Sequence, residues 1–157
     1  MASAVEQRIR ELGLSLPEVP APAGVYVPAL ITGSCVHTSG QLPFVEGQLP
    51  ETGKVGEGAG LVSAQRAQEL AAIAALNALA AVKGVIGDLD RLVRVVKVVG
   101  FVSSDPEFYG QPGVLNGASN LLGDVLGEVG IHARSAVGVA VLPLNSPVEV
   151  ELVAEFA

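Results

Sequence analysis

The chain has 157 residues, half of them apolar, and its 9 basic and 16 acidic side chains give a net charge of −7. Length and apolar content predict one folded domain over residues 1–157 and exclude a disordered chain. The acidic balance argues against a nucleic-acid partner, and the longest nearly apolar run, Leu70 to Val82, is shorter than the ~20 residues that a membrane-spanning helix needs.

The chain begins with a short helix and a proline-rich segment. Apolar residues recur about one helical turn apart between Ser3 and Leu12, which predicts an amphipathic helix there. Three prolines between positions 17 and 22 exclude its continuation. Residues 1–22 are therefore predicted to form an N-terminal helix with a proline-rich extension.

A hairpin and a long loop follow. Apolar stretches on either side of Gly33-Ser34 predict two strands between Gly24 and Ser39, joined by a tight turn. Gly40 through Gly60 is rich in glycine and predicts a loop. A connection of this length without regular structure is often functional or mobile.

Two long helices are predicted. The alanine-rich segment Leu61 to Lys83 predicts the first, which glycines 84 and 87 would end. For the second, the pattern Ser104-Asp-Pro-Glu107 is typical of a helix start with Ser104 as the N-cap. The alternative is a loop that reaches Gly113, with the helix running from about Val114 to Leu126.

Three further strands complete the predicted elements. The valine-rich segment Leu92 to Val102 favours a strand, and Arg134 to Leu142 and Val148 to Phe156 predict two more. Alternation in the valine-rich strand would place Val96, Val98 and Val102 on one face and Val93, Val95, Val99 and Phe101 on the other. Such a strand needs cover on both faces. The order of elements predicts an α+β fold with a mixed sheet and two long helices on one face.

Several kinds of site are excluded by the residues at hand. His37 and His132 have no spacing that would bring metal ligands together, so no metal is expected. Cys35 lacks a CxxC companion and is predicted as a buried thiol, and a lone thiol is compatible with a reducing cytoplasm. Residues 1–10 are too polar for a secretory signal, so we expect a cytoplasmic protein.

The C-terminal third contains the most informative charges. Alternation along the last strand places Glu149, Glu151 and Glu155 on one face. Arg134 stands in an apolar stretch and needs a carboxylate, and its planar guanidinium suits bidentate capture of one. That carboxylate is Glu149 or Glu151 in a structural ion pair, or an incoming acid.

Six short motifs resemble the YjgF/RidA family, whose members are also called endoribonuclease L-PSP or reactive intermediate deaminases. In chain order the motifs are Tyr26-Val-Pro, Thr38-Ser-Gly-Gln-Leu-Pro43, Val98-Val-Gly-Phe-Val102, Ala133-Arg-Ser-Ala-Val137, Leu142-Pro and Val148-Glu-Val-Glu151. The resemblance covers residues 23–156. It implies a chorismate-mutase-like fold and a homotrimer with sites at the subunit interfaces.

The resemblance also implies an activity and its residues. Family members bind small carboxylic acids and hydrolyse 2-imino or enamine acids to 2-keto acids and ammonia, without a metal or organic cofactor. Arg134 matches the arginine that holds the substrate carboxylate, and Glu149 matches the carboxylate that positions the attacking water. The matching pocket residues are Tyr26, Ser39, Gly40, Asn116 and Ala136, the last standing where the deaminase branch commonly has Cys.

Two functions follow from this resemblance. The first is an imine or enamine deaminase, and the second is a non-catalytic carboxylate binder or metabolic sensor with the same pocket. The segment Phe44 to Gly60 is longer than in compact family members, and the helix at Ser3 to Leu12 has no counterpart in them. The ribonuclease suggested by the older family label is disfavoured by the acidic balance and the lack of a His pair. The apolar composition further predicts an obligate oligomer.

Overall fold

The computed structural model describes residues 2–22 and 24–157 and contains three helices and one sheet within them. In chain order the elements are α1 (Ala4–Glu11), β1 (Ala29–Thr32), β2 (Cys35–Thr38), α2 (Ala64–Ile86), β3 (Leu92–Ser103), α3 (Gln111–Leu126), β4 (Ala133–Val139) and β5 (Val148–Phe156). Short 3-10 turns precede β3, β4 and β5.

The sheet has five strands in the order β1-β2-β5-β3-β4. Only β3 and β4 run parallel, and every other pair is antiparallel. α2 packs along β5, β1 and β2, while α3 packs along β3 and β4. We call the face beneath these helices the helix-covered face and the opposite one the outer face. The mixed sheet with two long helices on one face confirms the predicted α+β fold.

α2 begins and ends about one turn later than predicted. Ser63 caps its first turn by accepting a hydrogen bond from the backbone N–H of Arg66, and Gly87, not Gly84, is its C-cap. By length and composition alone α2 is apolar enough to cross a membrane. However, 61% of its most apolar 18-residue stretch is buried inside the fold. Burial of this extent is what a core helix shows.

The two long helices approach closely at one glycine of α3. A Cβ at Gly117 would lie 1.9 Å from the backbone oxygen of Gln68 in α2. Neither backbone can move without shifting its helix. This position therefore requires glycine, and it holds α3 at a fixed distance from α2.

The predicted face assignment in β3 is wrong for Val95 and Val96 because the strand is bulged. Its pairing with β5 shifts register between Leu92 and Arg94 and again between Val95 and Lys97. An inserted residue moves the following side chains to the other face. Val95 and Val98 are therefore both buried, whereas Val96 is 38% exposed. Beyond the second bulge the alternation is regular, with Val98 and Val102 on the helix-covered face.

The start of α3 also differs from the first expectation. Ser104 does not cap a helix: its hydroxyl donates to the carbonyl of Val102, and Asp105 accepts from the backbone N–H of Glu107 in a turn. The helix begins at Gln111 after Gly110. The alternative with a loop before the helix is thus confirmed, with a start three residues earlier than Val114.

The hairpin and the last two strands are present as predicted, although some of their ends differ. Gly33 and Ser34 form the turn, although the first strand begins only at Ala29. β4 ends at Val139, three residues early, and β5 has the predicted bounds.

The N-terminal helix confirms the prediction within one residue at each end. Its first turn is held by Asp90, whose carboxylate accepts hydrogen bonds from the Ser3 hydroxyl and from the backbone N–H groups of Ala4 and Val5. These donors lower the pKa of Asp90, with the bond from Val5 contributing most.

Candidate functional site

Arg134 lies on the helix-covered face at the edge of the sheet. Its register partner in β3 is Val98, so both side chains point toward the helices. Its Nη1 donates to Asn116 Oδ1 at 2.9 Å and to Ser119 Oγ at 3.2 Å, both on α3. We call these three residues the arginine cluster.

The predicted structural ion pair of Arg134 is absent. Within residues 2–22 and 24–157 no carboxylate lies within 4.0 Å of its guanidinium. Glu149 and Glu151 cannot reach it because both belong to the outer face. The partners of Arg134 are neutral, so its positive charge is not neutralised by any side chain that the structure describes.

Glu149 belongs to a second cluster, on the outer face. Its register partner is Phe101 of β3. Gly40 lies directly against its side chain, since a Cβ at Gly40 would be 1.9 Å from Glu149 Oε1. Only glycine leaves room for the carboxylate in this position. Ser39 precedes Gly40, and we call Ser39, Gly40 and Glu149 the glutamate cluster.

Burial raises the pKa of Glu149, and the neighbouring charge of Glu151 raises it further. Glu149 is partly buried, and no residue that the structure describes donates a hydrogen bond to its carboxylate. A carboxylate in this state holds a proton more readily than one in water. It is therefore suited to take up and return a proton.

Tyr26 is tied to the glutamate cluster through the backbone. Ser39 Oγ donates to the carbonyl of Val27 at 2.6 Å, and the backbone N–H of Ser39 donates to the carbonyl of Pro28 at 2.8 Å. The Tyr26 side chain itself is 56% exposed. The segment that carries this side chain is thus fixed beside Ser39.

Within one chain the two clusters are separated. Arg134 aligns with Val98 and Glu149 with Phe101, three residues further along β3, and β4 and β5 lie on opposite sides of β3. With a rise of about 3.3 Å per residue and about 4.8 Å between strands, the two Cα atoms are about 14 Å apart. Their side chains also point to opposite faces. The structure thus brings Asn116 to Arg134, and Gly40 to Glu149, but not Arg134 to Glu149.

Ala136 lies two residues beyond Arg134 on the same face, opposite Gly100 of β3. It is partly buried and packs against the core.

The sequence did not indicate two residues that belong here, Ser119 and His132. Ser119 Oγ lies 2.9 Å from His132 Nε2, and His132 Nδ1 lies 2.6 Å from the carbonyl oxygen of Gly130. Ser119 follows Asn116 by three residues, which places both on one face of a helix. This spacing is the one feature of the sequence that could have indicated Ser119 as a neighbour of Asn116. A cavity of about 300 Å³ borders Ser119, His132 and Arg134.

Comparisons with known proteins agree with this architecture. A family model described as "YjgF/chorismate mutase-like, putative endoribonuclease" matches residues 6–156. Protein TCP17 of Trypanosoma cruzi is 43% identical over 152 residues, which cover 96% of this chain and 93% of that protein.

Solved structures show the same similarity. Atu1372 from Agrobacterium tumefaciens is 45% identical, with a TM-score of 0.89 over 98% of this chain and 93% of its own. A "putative endoribonuclease" from Shewanella oneidensis is 37% identical, with a TM-score of 0.91 over 97% of this chain and 99% of its own. The chain therefore belongs to the YjgF/chorismate-mutase-like family.

Proposed function

We propose that this protein hydrolyses small 2-imino or enamine acids to 2-keto acids and ammonia, at sites where the arginine cluster of one copy meets the glutamate cluster of another. The observation that carries the proposal is the guanidinium of Arg134, which neutral side chains hold and no described carboxylate neutralises. A partly buried cation without an anionic partner is costly, and a ligand carboxylate reduces that cost.

A bound small amino acid is known in a distant relative. The structure of TdcF from Escherichia coli contains bound serine, with a TM-score of 0.65 to this chain. At 23% identity that likeness supports the shared fold alone. The proposal of a carboxylate ligand therefore depends on the surroundings of Arg134 in this chain.

The separation of the clusters supports a site shared between copies. In a 2-imino acid the carboxylate is bonded directly to the imine carbon, so the arginine and the carboxylate that serves the water must both lie within a few Å of it. Arg134 and Glu149 of one chain, about 14 Å apart on opposite faces, cannot do this. Val137 on the outer face is 42% exposed, which supports burial of that face against other copies in a homotrimer.

The residues then divide the reaction between them. Arg134 binds the substrate carboxylate and fixes the position of the adjacent imine carbon. Glu149 accepts a proton from water as the water oxygen bonds to the carbon of the protonated imine, which gives a carbinolamine. Glu149 returns this proton to the nitrogen, the C–N bond breaks, and ammonia leaves as the hydroxyl group gives its proton to Glu149 and the C=O bond forms. Ammonia then takes this last proton and departs as ammonium. Burial and the charge of Glu151 raise the pKa of Glu149, which makes it a better proton acceptor than an ordinary carboxylate.

The test is imine hydrolysis in solution. An amino-acid oxidase generates the imine in situ, and release of ammonia and keto acid is followed with and without the protein. We expect acceleration over spontaneous hydrolysis, lost in Arg134→Ala and Glu149→Gln but kept in the exposed controls Arg10→Ala and Glu107→Gln. No acceleration with imines from several amino acids would contradict the proposed activity.

A second candidate function is a non-catalytic carboxylate binder or sensor. It is favoured by the arginine cluster, whose three residues come from one chain, whereas catalysis needs Glu149 of another copy. This function predicts that 2-keto acids raise the Tm of the wild-type protein but not of Arg134→Ala, without turnover of any imine.

A further inference from the structure

We propose that Ser119 and His132 are positioning residues that fix the guanidinium of Arg134 so that only its Nε–Nη2 edge receives the substrate carboxylate. This inference rests on the proposed function for its ligand, but its geometric part concerns this chain alone. It is carried by a continuous series of hydrogen bonds from the backbone of Gly130 to Arg134.

The direction of each bond follows from the first. The carbonyl oxygen of Gly130 can only accept, so the His132 tautomer that matches this contact has its proton on Nδ1. Nε2 is then an acceptor, and the Ser119 hydroxyl donates to it. The oxygen of Ser119 keeps its lone pairs for the N–H of Arg134. Gly130 is buried, so the series begins at a fixed point.

The series determines which part of the guanidinium is free. Nη1 carries two hydrogens, and both are used, one by Asn116 Oδ1 and one by Ser119 Oγ. Within the described parts of the chain, neither Nε nor Nη2 donates to a protein acceptor. These two atoms lie on one edge of the planar group and match the two oxygens of a carboxylate. Fixing the group in advance reduces the entropy that ligand binding would otherwise cost.

The binding experiment titrates the intact protein with 2-oxobutanoate in a calorimeter. Ser119→Ala and His132→Phe break the series, and we expect each to raise Kd about three- to tenfold, the effect of losing one hydrogen bond. His132→Gln places an amide oxygen at the same number of bonds from the backbone as Nε2, and we expect it to restore Kd to within about twofold. Asn120→Ala, at the neighbouring exposed position of α3, serves as the control with unchanged Kd.

A ligand-free readout separates this inference from the proposed function. In protein labelled with ¹⁵N-arginine, Arg134→Ala identifies the Arg134 signals. We expect slow rotation about Cζ–Nη1, seen as resolved Nη signals, in the wild type and in His132→Gln. Fast rotation is expected in Ser119→Ala and His132→Phe.

The outcomes are distinct. Averaged Nη signals in the wild type, or equal Kd values in the wild type, Ser119→Ala and His132→Phe, would overturn the positioning role. If the wild type binds no 2-oxobutanoate but shows the expected signals, the geometric inference stands and the proposed ligand fails. A merely structural role would lower the Tm of the variants without changing the rotation of Arg134.

Discussion

Replacement of Gly117 by alanine tests the packing that places α3, and with it the arginine cluster. The added Cβ would lie 1.9 Å from the backbone oxygen of Gln68 and 2.7 Å from its carbonyl carbon. Ordinary contacts of a Cβ begin at 3.4 Å. The helices must therefore separate by about 1.5 Å, since no side-chain rotation relieves a collision with backbone.

The size of the effect follows from two opposing terms. Overpacking of a core by one carbon costs about 1–3 kcal/mol, and a collision with backbone belongs at the upper end. Alanine in place of glycine inside a helix contributes about 1 kcal/mol in the other direction. We expect Gly117→Ala to lower the free energy of unfolding by about 2 kcal/mol.

The matched control is Gly123→Ala in the same helix, where an added Cβ meets nothing within 4 Å. This variant gains the higher helix propensity of alanine without any collision, so we expect it to be up to about 1 kcal/mol more stable than the wild type. Urea unfolding followed by circular dichroism measures both variants. Equal stability of the two variants would refute the close helix contact as the reason for Gly117.

Two further predictions concern pH. Burial and Glu151 raise the pKa of Glu149 above its ordinary 4.5, so the folded state binds this proton more tightly and loses stability as the pH rises through the raised pKa. Glu149→Gln should therefore have a higher Tm than the wild type at about pH 8, with the gap closing below pH 4.5; a constant gap would contradict this. The pKa of Asp90 is lowered from 3.8, so its stabilisation exists above that pH and is lost as the pH falls through the lowered pKa. Asp90→Asn should lower the Tm at neutral pH and approach the wild type in acid, and equal Tm values at neutral pH would contradict the role of Asp90 in holding α1.

Much of the fold could be predicted from local patterns. β5 alternates between a buried apolar face and a face that carries three glutamates and Val153, and its predicted bounds are those observed. The alanine-rich α2 and the valine-rich β3 were also recognisable. The sequence did not show which β3 side chains face the helices. A bulge is determined by the pairing of two strands distant in sequence, and nothing in the valine run marks it.

The sequence pointed to the residues of the candidate site more than to their arrangement. Arg134 stands out as a charge in an apolar stretch, whereas only the family resemblance distinguishes Glu149 from Glu151. Asn116 hydrogen-bonds to Arg134 in the structure. The ion pair between Arg134 and Glu149 or Glu151 was wrong, since the faces to which they belong depend on the registers of β4 and β5 with β3. Those registers are long-range properties.

In the proposed site, Arg134 comes from one copy and Glu149 from another. The most direct test is co-expression of Arg134→Ala and Glu149→Gln chains in equal amounts, followed by the imine hydrolysis assay on the mixed oligomers. In a closed ring each site has about a one-in-four chance of drawing both intact residues, so we expect about one quarter of the wild-type activity from two variants that are inactive alone. A mixture as inactive as its components would contradict the shared site.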